Sequence, residues 1–559
     1  MKLLFSILLL VAFASNSVAQ SKSSGNSEVD FKNYLSQADI YLLKGQPDNA
    51  LSAYQTCLQL NPNSAVVNYQ LARIYFNFRN FDSALSYAQL AAKLQPENYW
   101  YKNFLAKVYE AVGNYSEALK IYESCISKNP SYEDYLHLID FYTKFEKFDA
   151  ALKMLNKVEK SYGYNFDISI QKIDIYKRFN KFSEAENEYK KIIASDSSNL
   201  FNLGMLEEFY LLVSQIPKAQ EILAQMKKID DTNSLTYLAQ ASMCRALGQK
   251  DCFYQNLVES FKGDLITSEE KVSIISDFVF NSAIFDADKI YNLYEEILKT
   301  SENDFLVHSS FADFLMTIDS YDKAAEQLRI CTELDKSDFS LWRKLFKLYT
   351  LCEDYQSLKK SVDEAEEYFP EQVEVMLYSA VASIYLNDFS SAEEKLLMSK
   401  DFGIEVTNSV NLYYFYTGVY YYMKNKKDLA FSNFEKYYNL NHDDLNVMCK
   451  YAYYLIDSNK NLQLAQNLVK QCLSFDSFNF YFYYVNAFYY YKTDDLKSAA
   501  YFAEKSNTLN KSKKFYTFEL AGDIYFKNKD FPNALKNYNL ALEYGGNKSS
   551  LNLKIQNCN

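Results

Sequence analysis

Three histidines, nine cysteines and several acidic runs are the residues of this chain best suited to chemistry, and their spacing assembles no catalytic or metal-binding group. His137, His308 and His442 lie far apart, with no HExxH and no paired spacing that would hold a divalent metal. Each reads as a solvent-facing or loop histidine. The acidic run DEAEE at 363–367 winds around a helix instead of converging, so it reads as a solvated face rather than a calcium or acid–base site. No P-loop, GxGxxG or GxSxG occurs, and nothing singles out a pair of carboxylates for glycoside cleavage. No catalytic residue, cofactor or metal is expected.

The cysteines are odd in number and scattered, with no CxxC, which is not the pattern of a disulfide-stapled fold. Cys244 and Cys252 are the one pair spaced to meet, across a helical hairpin, and the sequence favours leaving that bridge unformed.

What remains is binding chemistry, carried by aromatic rings. The stretch YYFYTGVYYYMKN at 413–425 holds six tyrosines, in a chain with 51 tyrosines and 41 phenylalanines. It is too short to span a bilayer, and Lys424, Lys426 and Lys427 follow closely. Its rings belong either to a core or to a surface that touches something. The elements that hold them decide which.

A chain of 559 residues is too long for one compact core, so several domains or a repeat array are expected. Hydrophobic residues make up 48% and charged residues 23%, an ordinary globular balance. With 12 glycines and 7 prolines, turn residues are too scarce for sandwiches, barrels or α/β folds, and short-looped helices fit better. A net charge of −12 argues against a nucleic-acid partner, because phosphate binding needs a basic face.

The repeat is visible by alignment. Ala38, Ala72 and Ala106 fall 34 residues apart, as do Tyr41, Tyr75 and Tyr109; Ala50, Ala84 and Ala118; and Pro62, Pro96 and Pro130. The same small-residue spacing returns at Ala312/Ala324, Ala380/Ala392, Gly418/Ala430, Ala487/Ala499 and Gly522/Ala534. Small residues at these positions let two antiparallel helices approach closely, while bulky neighbours fill the remaining space. Cys57, Cys125, Cys331 and Cys472 share one repeat position and read as small buried hydrophobes. Second helices begin with an aromatic followed by Asp or Ser, as in Phe81-Asp82 and Phe148-Asp149. The Asp or Ser is expected to cap the helix and the ring to act as a staple.

These columns resemble the tetratricopeptide repeat, and the resemblance covers nearly all of residues 31–546. It implies an all-α fold, a right-handed α-solenoid of antiparallel helix pairs. The expected organisation is repeats 1–7 over 31–262, a degenerate pair over 263–302, repeats 8–14 over 303–546, and a cap or tail over 547–559. Some members of the family grip chaperone carboxylates through lysines and asparagines on their first helices. Here Leu35, Asp39, Tyr69 and Arg73 stand at those places, so that activity is not carried over.

The resemblance also implies that one stripe of each first helix lines a concave wall. In four consecutive repeats that stripe is apolar and aromatic: Leu377, Val381 and Ile384; then Phe415, Val419 and Tyr422; then Tyr453 and Ile456; then Tyr481, Tyr484, Phe488 and Tyr491. The third repeat offers Trp100, Asn103, Lys107 and Glu110 in the same places. Two readings stay open. A tight superhelix buries these rings on one another, or they form a contiguous contact surface for an amphipathic helix or extended peptide.

The N-terminus MKLLFSILLLVAFASNSVAQ reads as a secretory signal peptide over 1–19, ending in Ser17-Val18-Ala19, followed by a disordered linker over 20–30. No other stretch is long and apolar enough to span a membrane. Repeat and signal peptide together resemble the exported, periplasmic tetratricopeptide proteins of Gram-negative bacteria, which implies a non-enzymatic scaffold of the bacterial envelope that binds a protein or peptide in its groove, periplasmic or else extracellular or outer-membrane-associated. Carbohydrate capture by the same rings is the alternative, and nucleic acid is not an expected partner.

Overall fold

A computed structural model describes residues 27–126, 130–279, 285–440 and 444–558. The signal peptide over 1–19, most of the 20–30 linker and His442 lie outside the described residues. Among the described residues there are fifteen helix pairs and one closing helix, Lys548–Gln556, with no strand. The first helix begins at Ser27, inside the stretch expected to be a disordered linker.

The small-residue columns explain the pairing. Ala38 and Ala50, Ala72 and Ala84, and Ala106 and Ala118 are all fully buried at the crossings of their pairs. Tyrosines on the second helices fill the space beside them and reach acids on the first. Tyr54 donates to Asp39 at 2.5 Å, Tyr122 to Glu110 at 2.7 Å and Tyr538 to Asp523 at 2.8 Å. Each ring therefore packs while its polar tip is satisfied.

Chain reversal within a pair takes one residue in the left-handed region, then a cap. Arg79, Asn387 and Lys529 sit at φ of +57°, +60° and +62°, where Gly113 takes the same place at +78°. The next residue is the N-cap: Asn80, Asn114, Asp388 and Asp530 each accept from the backbone N–H three residues on. The expected cap is thus corrected by two residues. The aromatic is the first helical residue, and Asp82 or Asp149 lies in the first turn, where its charge suits the helix dipole.

The chain divides into two compact units, residues 1–253 and 254–559. In the first, Lys172 is fully buried and pairs with Glu159 and, at 3.8 Å, with Glu188. Cys244 and Cys252 are joined in a disulfide, with Cα atoms 5.8 Å apart, so the expectation of an unformed bridge is corrected. The hairpin between them brings the two residues to bonding distance, which spacing alone did not decide.

In the second unit, the degenerate stretch still forms two helices, Ser268–Val279 and Ala287–Leu298. Lys271 is buried and donates to the carbonyls of Phe261 (2.8 Å), the last residue of the helix before it, and Gly263 (2.7 Å) in the loop that follows. His308 is corrected from a solvent-facing residue: it is 3% exposed, with Nδ1 2.7 Å from Gln327 and Nε2 2.8 Å from the Glu302 carbonyl. His137 is exposed. Cys57, Cys331 and Cys472 are buried, and Cys125 is half-buried. Leu551 of the closing helix packs on Tyr538 and Ala541.

Candidate functional site

The aromatic stripe belongs to one continuous core of the second unit, reaching from Trp342 to Val485. Six of its twelve residues have no exposed surface: Leu377, Val381, Ile384, Phe415, Val419 and Ile456. These are corrected from candidate contacts to core. Phe415 shows why. Its ring meets those of Phe434 at 5.7 Å and Tyr437 at 5.4 Å on the second helix of its own pair, and of Tyr454 at 6.4 Å on the next repeat, so both close over it.

The other six, Tyr422, Tyr453, Tyr481, Tyr484, Phe488 and Tyr491, stay half-buried. Tyr453 stacks on Phe488 at 5.1 Å and on Tyr484 at 6.2 Å, and Tyr481 lies 5.7 Å from Tyr484. Tyr516 continues the ladder, edge-on to Tyr484 at 4.9 Å. Tyr422 is tied down separately, donating to Asp457 at 2.7 Å. Lys527 caps the Tyr491 ring at 4.9 Å. Burial pushes the phenols of Tyr422 (to about 12), Tyr481 and Tyr484 up, so they stay neutral donors at any physiological pH.

At one end of this ladder the unit closes on itself. Lys514 donates to the Cys352 carbonyl and stands 3.8 Å from Glu353, and Tyr516 donates to Glu353 at 3.3 Å. Beside that seam is a cavity of about 280 Å³ lined by Glu353, Lys450, Tyr481, Lys514 and Tyr516. A larger cavity, about 1030 Å³, lies between the first helices Phe339–Cys352, Val373–Tyr385, Val410–Met423 and Leu445–Asp457. Its lining includes Arg343, Lys347, Tyr378, Tyr416 and Lys450.

Sequence reasoning missed this cavity. Tyr378, Tyr416 and Lys450 each stand two residues before the small residue of their repeat (Ala380, Gly418 and Ala452). The signal was a polar atom at the end of the side chain in three successive repeats. Burial holds the Lys450 ammonium below the usual lysine range, against the pull of Glu353 and Asp444. Among the described residues no group of three or more His, Cys, Asp or Glu is placed to hold a metal, and no helix is long and apolar enough to cross a membrane.

A tetratricopeptide-repeat family model matches residues 41–108, and a second one matches 103–134. No curated protein matches the sequence. Among solved structures, the Cut9–Hcn1 hetero-tetramer of the APC/C is 12% identical with a TM-score of 0.43, covering 94% of this chain and 89% of that one. A tetratricopeptide repeat protein from Parabacteroides merdae is 12% identical with a TM-score of 0.29, covering 48% and 99%. Naa15/Naa10 bound to HypK-THB is 12% identical with a TM-score of 0.32, covering 95% and 90%.

Proposed function

Because the chain is a tetratricopeptide-repeat protein, we propose that it is a non-enzymatic interaction scaffold of the bacterial envelope. It seats a protein or peptide segment against the open part of its aromatic wall. The observation that carries this reading is the half-buried ladder of Tyr453, Tyr484, Phe488 and Tyr516, whose rings pack on each other yet keep part of their faces free. Tyrosine suits such a surface, since it offers large contact area and a polar tip at small entropic cost. The sequence over 1–19 supports export, with processing after Ala19 read out by the N-terminal sequence of the mature protein.

The test places a photo-crosslinker at Tyr422 or Tyr484 in the host cell, with Asn103 as the control position. A discrete protein adduct at the wall that is absent at Asn103 supports the scaffold. Loss of the adduct on adding free sugar transfers the wall to the carbohydrate alternative. No adduct at either wall position removes the groove as the binding surface.

A further inference from the structure

The larger cavity presents donors without acceptors. Tyr378 is 4% exposed and Tyr416 is 3% exposed, and both line it. Among the described residues neither hydroxyl has a hydrogen-bond partner, and the Lys450 ammonium between them and the seam has none either. The two hydroxyls and the half-buried ammonium open onto the cavity, shielded from bulk water, which makes the three groups jointly receptive to an acceptor.

The acids of the same lining are already engaged. Glu374 takes Arg343 Nε at 2.6 Å and the Ser409 hydroxyl. Asp444 caps its own helix, accepting from the backbone N–H of Asn446 at 2.9 Å and Val447 at 3.2 Å. Among the described residues Lys347 makes no ion pair, and the lining sets three basic side chains, Arg343, Lys347 and Lys450, against two acids, in a chain whose net charge is −12. Three helices, Val373–Tyr385, Val410–Met423 and Leu445–Asp457, start at its rim, and the first two lack a side-chain cap. Their first turns add the positive end of the dipole.

We propose that this cavity is a binding site for a small carboxylate ligand, held by the hydroxyls of Tyr378 and Tyr416 and the ammonium of Lys450. A carboxylate, whose oxygens only accept, fits this set of donors better than hydrogen phosphate, whose own hydroxyl would need an acceptor while Glu374 and Asp444 are already engaged. The space, about 1030 Å³, is that of a metabolite-sized site. The proposal goes beyond the scaffold reading and does not rest on it. Because Lys450 is pulled below its usual range by burial, with Glu353 and Asp444 opposing and Lys514 reinforcing that shift, a bound anion draws a proton onto it.

The experiment follows acetylation of Lys450 by limiting acetic anhydride, read by mass spectrometry on the whole mature chain. Succinate, inorganic phosphate and sodium chloride are compared at equal ionic strength, with exposed Lys228 as the internal control. Succinate is expected to slow Lys450 labelling about tenfold near saturation while Lys228 is unchanged. Tyr378→Phe and Tyr416→Phe keep the packed ring and are expected to relieve that protection without lowering the melting temperature. Absence of protection by succinate, equal protection by phosphate, or protection that survives both phenylalanine variants would each overturn the proposal.

Discussion

Tyr516 donates a hydrogen bond to Glu353 at 3.3 Å although 163 residues separate them along the chain. In an array whose repeats touch only their neighbours such a contact has no reason to exist. Here it arises because the second unit turns far enough for its later repeats to return to an earlier one. Glu353 is in the left-handed region at φ +59° at the end of its helix, which projects it toward Lys514 and Tyr516.

The first prediction concerns this seam. Glu353→Gln and Lys514→Met should show a coupling energy of about 1 kcal/mol in a double-mutant cycle read by chemical denaturation. Both side chains are about a quarter exposed, so the coupling should shrink as salt is raised. An unchanged coupling in high salt would mean that packing of the Tyr516 ring on Tyr484, and not charge, closes the unit.

Core and ladder should respond differently to truncation. Phe415 is fully buried among Phe434, Tyr437 and Tyr454, so Phe415→Ala should cost about 3–5 kcal/mol. Phe488 is half-buried, and Phe488→Ala should cost clearly less in the same melting experiment. Equal losses would place the ladder in the core and remove it as a contact surface.

Gly418 tests the close approach of two helices. A Cβ there would lie 2.5 Å from ring atoms of Phe434, which is fully buried and has no room to retreat. Gly418→Ala should therefore destabilise the second unit by about 1–3 kcal/mol despite alanine's better helix propensity. Combining it with Phe434→Leu should recover part of that loss; no recovery would mean that the backbone, not the ring, sets the limit.

Glu207 gives the first unit a pH dependence. It is 1% exposed, its Oε1 has no protein hydrogen-bond partner, and burial together with the neighbouring Glu208 pushes its carboxyl up to about 8. A carboxyl raised in the folded state stays protonated there while the unfolded chain ionises. Its contribution is therefore fully present below the ordinary carboxylate range and is lost as pH rises through about 8. Amide exchange across the helix Leu200–Leu212 should speed up from about pH 5 to about pH 8 beyond its intrinsic dependence, and follow that dependence alone at higher pH. Glu207→Gln should abolish that excess, and its persistence in the variant would assign it to another group.

The paired helices were legible because they rest on local information. A small residue twelve positions before another places two faces in register within one pair, and Ala380, Ala392, Ala487 and Ala499 are buried as that spacing requires. The cap was misplaced by two residues because the left-handed turn residue is set by backbone reversal, and Arg, Asn, Asp and Lys all fill it. Half of the aromatic stripe was misassigned for a different reason. Leu377 and Phe415 occupy wall positions by repeat logic, yet both are fully buried, Phe415 under rings of its own pair and of the next repeat.

The amino-acid sequence by itself determined the repeat, its period and the helix pair that each copy builds, since all three depend on residues within one repeat and on their recurrence in the next. Only the tertiary structure decided which rings are covered, where Tyr378, Tyr416 and Lys450 converge, and that Glu353 meets Tyr516. Those outcomes depend on the small rotation between successive repeats, summed over several of them. No single repeat encodes that sum, because it is fixed by how every interface packs.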